Sequence, residues 1–320
     1  MSYSMSMTME RILELRADAF ADDVDVSQEM LKWTEERIMK FFENGGEDKV
    51  CDEPLPPLTR PLRVLSLHGG GGNKNVNMVQ TSALRSALGP IKAIHFDYLE
   101  GTIEWSAEDV GPELTKIFGR GPYFGWYPVT NDSGIVLDGP GDGENMAYAR
   151  AMLDRAVNFT YAGCEDVLDR VDKHIDAHGP FDVLCGFSQG TAVITMLTAR
   201  RLQRASRGLG PPPTWACNVL LNGLPPRTSP YAPIFPREDG EDVDDQGLHA
   251  TPPIATLPCV ACIGRRDWCY QYSTLGMRSL YGRLTHFEHD GGHETAKDAG
   301  LNKQVASAVW RALGYAPPSK

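Results

Sequence analysis

The run Phe181-Asp182-Val183-Leu184-Cys185 leads straight into Gly186-Phe187-Ser188-Gln189-Gly190, and a helix-forming stretch over 189–204 follows. No other stretch of the chain constrains its fold as strongly. G-x-S-x-G arises often by chance, but between an apolar strand and a helix it makes a sharp turn that strains the serine backbone. The flanking glycines leave room for strand and helix to approach each other. Ser188 then projects from the carboxyl end of a sheet, where the sites of α/β proteins lie. The helix start beneath it favours developing negative charge.

The rest of the chain supplies strands and helices in alternation. Residues 62–67 are a short apolar run closed by His68 and four glycines, as a buried parallel strand would be. Residues 77–88 read as a helix and 91–97 as a second strand. One or two helices are expected over 144–178, then the strand over 181–185. Further strands fall in WACNVLLNG, PCVACIG and THFEHDGGH, and a closing helix over 297–313. This order predicts an α/β domain over residues 61–320, with a mostly parallel sheet covered by helices on both faces. Residues 1–60 read as a helical extension: Ser27 starts a helix over 27–43, Asn44-Gly45-Gly46 ends it, and 51–61 is a proline-rich linker. The extension offers a surface for packing on the domain or for self-association.

A serine hydroxyl needs a base. In domains built on such a turn the chain order is serine, acid, histidine. Downstream of Ser188 stand His249, His286, His289 and His293. His293 follows Asp290-Gly291-Gly292 in a loop after the last strand, which is the place for a base. His249 falls in a polar loop, and His286 and His289 fall in the strand as packing or surface residues. Asp267 stands just beyond PCVACIG and is the expected acid, holding the imidazole in one tautomer. Asp290 is the alternative acid, and Arg265 or Arg266 the alternative partner of Asp267. The oxyanion of a tetrahedral intermediate needs donors. The amide of Gln189 is one, and the loop His68-Gly69-Gly70-Gly71-Gly72-Asn73 offers the other, with Gly70 preferred over Gly71.

Composition narrows the partners. A formal charge of −11 disfavours nucleic acid and anionic membranes. No apolar run reaches the roughly 18 residues of a membrane span. The first residues lack a secretory pattern and carry Glu10, Glu14 and Asp18 early, so a cytoplasmic location is expected. Seven scattered cysteines suggest reduced thiols. Cys259 and Cys262 form a CxxC inside a strand, where side chains three apart face opposite ways, so no metal is expected there. The glycine loop lacks the Lys-Ser/Thr of a phosphate-binding loop, and no acidic ribose partner stands out downstream. The acidic run Glu238–Asp245 reads as a solvated loop rather than a calcium site. No cofactor is called for.

The stretches RVLSLHGGGGN, TSALRSAL, GPFDVLCGFSQGTAV, NVLLNGLPPR, LPCVACIGRRD and HDGGHE, in this order, resemble the small serine hydrolases first grouped in fungi. These belong to the carboxylesterase/thioesterase branch of the α/β-hydrolase superfamily, and the likeness covers about residues 62–313. The resemblance implies an α/β-hydrolase fold and a triad on Ser188, Asp267 and His293. It also implies hydrolysis of short- to medium-chain esters or thioesters, in some relatives of acyl chains on carrier proteins. Acyl transfer or a lyase reaction at the same site, and a non-catalytic ligand-binding role, are the alternatives. The segment 101–143 departs from the family pattern and is expected to form a lid or cap. Its aromatics either pin it down or line a groove. Trp105, Phe124 and Trp126, with Trp268 beside the acid, are the expected substrate contacts.

Overall fold

Six segments rich in Val, Leu, Ile and Cys pair side by side in a parallel sheet. They are β1 (Leu62–Leu67), β2 (Ile94–Leu99), β7 (Val183–Phe187), β8 (Cys217–Leu221), β9 (Cys259–Gly264) and β10 (Leu284–His289), in the order β10-β9-β8-β7-β1-β2. The computed structural model describes residues 55–110, 112–132, 142–235, 244 and 248–318. The chain divides into two compact units, Met1–Pro56 and Pro57–Lys320. The expected helix over 27–43 and residues 51–54 of the linker lie outside the described residues, as does the acidic run apart from Asp244.

Side-chain alternation puts a core on each face of the sheet. Leu65, Leu67, Leu184, Leu220, Cys259 and Ile263 belong to one core. Leu62, Val64, Val183, Cys185, Val219 and Cys262 belong to the other. Cys259 and Cys262 therefore do face opposite ways. The first core is closed by helices α5 (Cys164–His178), α6 (Gln189–Ser206) and α7 (Tyr270–Leu280), and the second by α2 (Ser82–Leu88) and α8 (Ala299–Leu313). This is the α/β-hydrolase arrangement, a parallel sheet with helices on both faces. Among the described residues no helix is long and apolar enough to cross a membrane.

The strand order has one reversal. From β1 the chain steps to β2 on one side, then returns to lay β7 on the other, and β8, β9 and β10 extend outward from β7. A reversal opens a crevice at the carboxyl ends of the two strands that flank it. Here those ends carry the glycine loop after β1 and Ser188 after β7.

Several boundaries differ from expectation. The expected helix over 77–88 is two helices, α1 (Lys74–Gln80) and α2, broken at Thr81, whose hydroxyl donates back to the Asn77 carbonyl. The second strand begins at Ile94 instead of residue 91, because Pro90 to Ala93 form a turn first. The stretch 101–143 is more regular than expected: it holds β3 (Ile103–Trp105), α3 (Pro112–Phe118), β4 (Tyr123–Gly125) and β5 (Val129–Asn131). Strands β3 and β4 pair as an antiparallel ribbon, and β5 pairs with β6 (Phe159–Tyr161). Helix α4 (Asp142–Leu153) precedes β6. Helix α7 is unforeseen in the sequence, where Gly276 interrupts it. That glycine allows contact with Pro225, whose ring would lie 2.5 Å from an added Cβ.

Candidate active site

At the end of β7 the backbone of Ser188 takes φ 51 and ψ −121, which is strained for a residue with a Cβ. The glycines on either side are required by close packing. A Cβ on Gly190 would lie 2.6 Å from the Leu67 carbonyl oxygen, and one on Gly186 would lie 2.9 Å from that of Gly190. The turn is fastened to the sheet by the Ser188 amide, which donates to the Leu221 carbonyl at 3.1 Å.

Three side chains from three loops converge here. His293 Nε2 lies 2.8 Å from Ser188 Oγ, and His293 Nδ1 lies 2.8 Å from Asp267 Oδ2. Asp267 is buried at the end of β9, and His293 sits half-buried in the loop after β10. Burial pushes the Asp267 carboxyl upward. The hydrogen bond and charge of His293, with the Cys269 donors, outweigh it and hold the group below its ordinary value. Asp290, the alternative acid, is instead exposed and accepts from Arg265 at 3.0 Å. Arg265 also pairs with Glu288, and Arg266 Nε donates to the Asp290 carbonyl, so neither arginine pairs with Asp267.

Residues that the sequence reading did not assign to the site complete it. Asn222, at the carboxyl end of β8 with φ 44, donates from Nδ2 to Asp267 Oδ2 at 2.6 Å and to the Gly292 carbonyl at 2.8 Å. It thus ties the acid to the loop that carries His293. His289 Nδ1 accepts from the Gly291 amide, which leaves Nε2 to donate to Asn222 Oδ1 at 3.3 Å. Cys269 donates to Asp267 Oδ1 from its amide and its thiol, both at 3.1 Å. A polar residue closing an apolar strand, as in Val219-Leu220-Leu221-Asn222, was the available signal for Asn222. Ligand atoms of Asp267, Cys269 and His293 lie within 4.8 Å of one another. They are already engaged in hydrogen bonds, which makes the cluster a positioning network.

The glycine loop after β1 faces this group. A Cβ on Gly69 would meet Ser188 Cβ at 3.0 Å, and one on Gly70 would lie 3.5 Å from Gln189 Oε1. The Gly72 amide and carbonyl both bond to Phe124, at 3.2 and 2.7 Å. His68 is buried; its Nδ1 donates to the Gly69 carbonyl at 2.6 Å and its Nε2 accepts from Gly101 N–H at 2.8 Å. The Gln189 side chain fastens the opposite wall, accepting from Trp126 N–H at 2.9 Å and donating to the Tyr127 carbonyl at 2.8 Å.

The four expected substrate contacts part ways. Trp126 is fully buried and its indole donates to the His68 carbonyl at 2.7 Å, so it supports the loop and offers no surface to a ligand. Trp105 packs its ring on Gly71, where an added Cβ would lie 3.1 Å away. Phe124 is half-buried and serves the loop through its backbone. Trp268 alone touches the converging side chains, its ring 5.6 Å from that of His293.

Residues 58–305 match the family described as serine hydrolase (FSH1). Hydrolase phiM of a fungal species is 27% identical over 248 residues, which cover 77% of this chain and 93% of that protein. Esterase FPY3 of Fusarium mangiferae is 26% identical over 239 residues, 73% of this chain and 88% of that protein. Among solved structures, esterase PE8 aligns with a TM-score of 0.42 at 16% identity, covering 79% of this chain and 94% of that one.

Proposed function

Since the chain belongs to the FSH1 serine hydrolase family, we propose that this esterase-type hydrolase works through Ser188 as nucleophile, His293 as general base and Asp267 as the orienting acid. The observation that carries the assignment is the unbroken relay from Ser188 Oγ through both imidazole nitrogens to Asp267, with 2.8 Å at each step. His293 Nε2 takes the hydroxyl proton as Ser188 Oγ attacks the substrate carbonyl. Asp267 stays ionised and stabilises the imidazolium. The oxyanion is received by the amides of Gln189 and Gly70. Among the described residues neither amide takes part in a turn or loop hydrogen bond, and the two residues adjoin. Collapse expels the alcohol or thiol, which collects the proton from His293. Water activated by His293 then frees the acid from the acyl-enzyme.

The substrates are carboxylic esters and thioesters of small to medium acyl groups, including chains borne by a carrier protein. A fluorophosphonate probe tests the nucleophile. It should label the native enzyme at Ser188, located by peptide mass. Ser188→Ala should take up no label and lose about 10⁴-fold or more in kcat, with an unchanged melting temperature. Labelling at another residue, or near-normal turnover by the folded variant, refutes the assignment. A graded panel of acyl esters and acyl-thioesters measures the substrate range.

A further inference from the structure

His293 stands in a stretch without regular structure, directly after Gly291 and Gly292. Its ring is held by hydrogen bonds at two atoms, Nδ1 to Asp267 and Nε2 to Ser188, each at 2.8 Å. Two such bonds fix the place of the ring but leave it free to tilt about the line that joins them. In the acyl-enzyme the second bond is lost as well, because an ester oxygen at Ser188 has no proton to give. A catalytic group displaced by about 1 Å loses much of its rate, so the ring needs further restraint.

Two aromatic side chains touch it. The Phe187 ring centroid lies 5.2 Å from that of the imidazole, with the planes tilted by 49°, and that of Trp268 lies 5.6 Å away, tilted by 43°. Phe187 immediately precedes Ser188 and Trp268 immediately follows Asp267, so each ring adjoins one hydrogen-bonding partner of the base. They are anchored on opposite faces of the sheet. Phe187 belongs to the core of Leu62 and Val64, whereas Trp268 packs against the core of Leu65 and Leu67. Trp268 is half-buried and is backed by Tyr148 of α4 at 6.1 Å, edge to face, and Tyr148 in turn by Phe159 at 5.7 Å. Contacts of this kind favour particular ring orientations as well as adding apolar contact. His293 is positively charged whenever it holds the serine proton, and an aromatic face within about 6 Å favours such a charge.

We propose that Trp268 is a positioning residue for the base. Together with Phe187 it restrains the His293 imidazole and steadies its protonated form. The inference rests on His293 being the base of the proposed reaction. Trp268 then serves turnover through His293 instead of through the substrate, and α4, by way of Tyr148, becomes part of the support of the site.

The test uses the full chain, 4-nitrophenyl butyrate as substrate and butylboronic acid as a mimic of the tetrahedral intermediate. In the mimic the boron takes up Ser188 Oγ while His293 takes up the hydroxyl proton. Trp268→Leu should lower kcat roughly 3- to 30-fold, with KM and melting temperature unchanged. Its affinity for the boronic acid should fall by the same factor, since only the charged state of the base has lost support. Trp268→Phe, which keeps a ring, should recover most of both. Tyr148→Leu should give a smaller loss of the same kind, and it carries the test if Trp268→Leu does not fold. Native kcat and boronate affinity in Trp268→Leu overturn the inference, as does a lowered melting temperature with native kcat. Equal losses in the Leu and Phe variants overturn the role of the ring. A KM change that varies with acyl chain length makes Trp268 a substrate contact and overturns it too. Turnover retained by His293→Ala overturns the base assignment and this inference together, whereas an inactive His293→Ala beside a fully active Trp268→Leu overturns this inference alone.

Discussion

The two banks of the crevice are built by different means. On the bank formed by β1 and β7, backbone does the placing. Ser188 is held in a strained turn between two glycines that admit no side chain, and the glycine loop is bonded to the ribbon strand β4 through main-chain groups. On the bank formed by β8, β9 and β10, side chains do the placing. Asp267, Asn222, Cys269, His289 and His293 form one hydrogen-bonded group drawn from three strand ends. The difference teaches that the first bank should tolerate no added bulk, whereas the second should respond to the loss of single polar atoms.

The largest effect is expected on the side-chain bank. Asp267→Asn keeps the shape but presents an amide N–H or a weaker acceptor to His293 Nδ1, which favours the wrong tautomer. Its kcat should fall by about 10⁴-fold while the folded structure persists, as pre-steady-state ester hydrolysis would show. A fall below tenfold would mean that the carboxylate does not orient the base.

On the backbone bank the expected damage is to stability. Trp126→Ala removes a fully buried indole and the donor to the His68 carbonyl. About 3–5 kcal/mol of folding stability should be lost in urea unfolding. Relative kcat/KM across acyl chain lengths should stay as in the native enzyme. A changed chain-length preference with unchanged stability would return Trp126 to the substrate pocket.

Asn222→Ala probes the network one step behind the acid. Three hydrogen bonds are lost, one to Asp267, one to the loop bearing His293 and one from His289. Turnover should drop roughly 10- to 100-fold, in kcat more than KM, since each buried bond to a charged group is worth ~1.5–3 kcal/mol. Equal losses in stability and none in kcat would make Asn222 a structural residue only.

The smallest effect concerns pH. Burial lowers the pKa of His68, with the Gly69 carbonyl opposing, and burial likewise lowers that of His289. A histidine with a depressed folded pKa takes up a proton more readily in the unfolded chain. Stability should therefore fall as pH drops below the ordinary imidazole value of ~6.5, level off below the folded pKa, and be flat above neutrality for these groups. Protonating His68 would also set Nε2–H against the Gly101 N–H that it now accepts. His68→Gln should shallow the decline seen in melting temperature between mildly acid and neutral buffer. An unaltered slope would clear His68 of the effect.

The same contrast explains what could be read from the sequence. The turn at Ser188 is a local motif, legible because strand, glycines and helix are adjacent in the chain. Asp267 and His293 were legible by order, since each follows an apolar strand. Asn222 and His289 reach the acid through partners from other strand ends, up to 70 residues away, and a polar residue at a strand end is a weak signal by itself. Helix α7 was hidden because its sequence, Tyr270–Leu280, carries a glycine where packing on Pro225 requires one. The aromatics of 101–143 announced burial but not direction: whether Trp126 faces a ligand or His68 depends on the β3–β4 ribbon, which no periodicity reveals.

The Gln189 side chain has a mechanical consequence. It clasps both Trp126 and Tyr127, the Gly72–Phe124 pair clasps the ribbon just before them, and Gln189 itself begins the helix that follows Ser188. A wall bolted to the workbench is not a door. Swinging residues 124–127 outward would break five hydrogen bonds and pull on the residue next to Ser188. That side of the crevice is therefore fixed to the same helix start as Ser188, and moving one displaces the other.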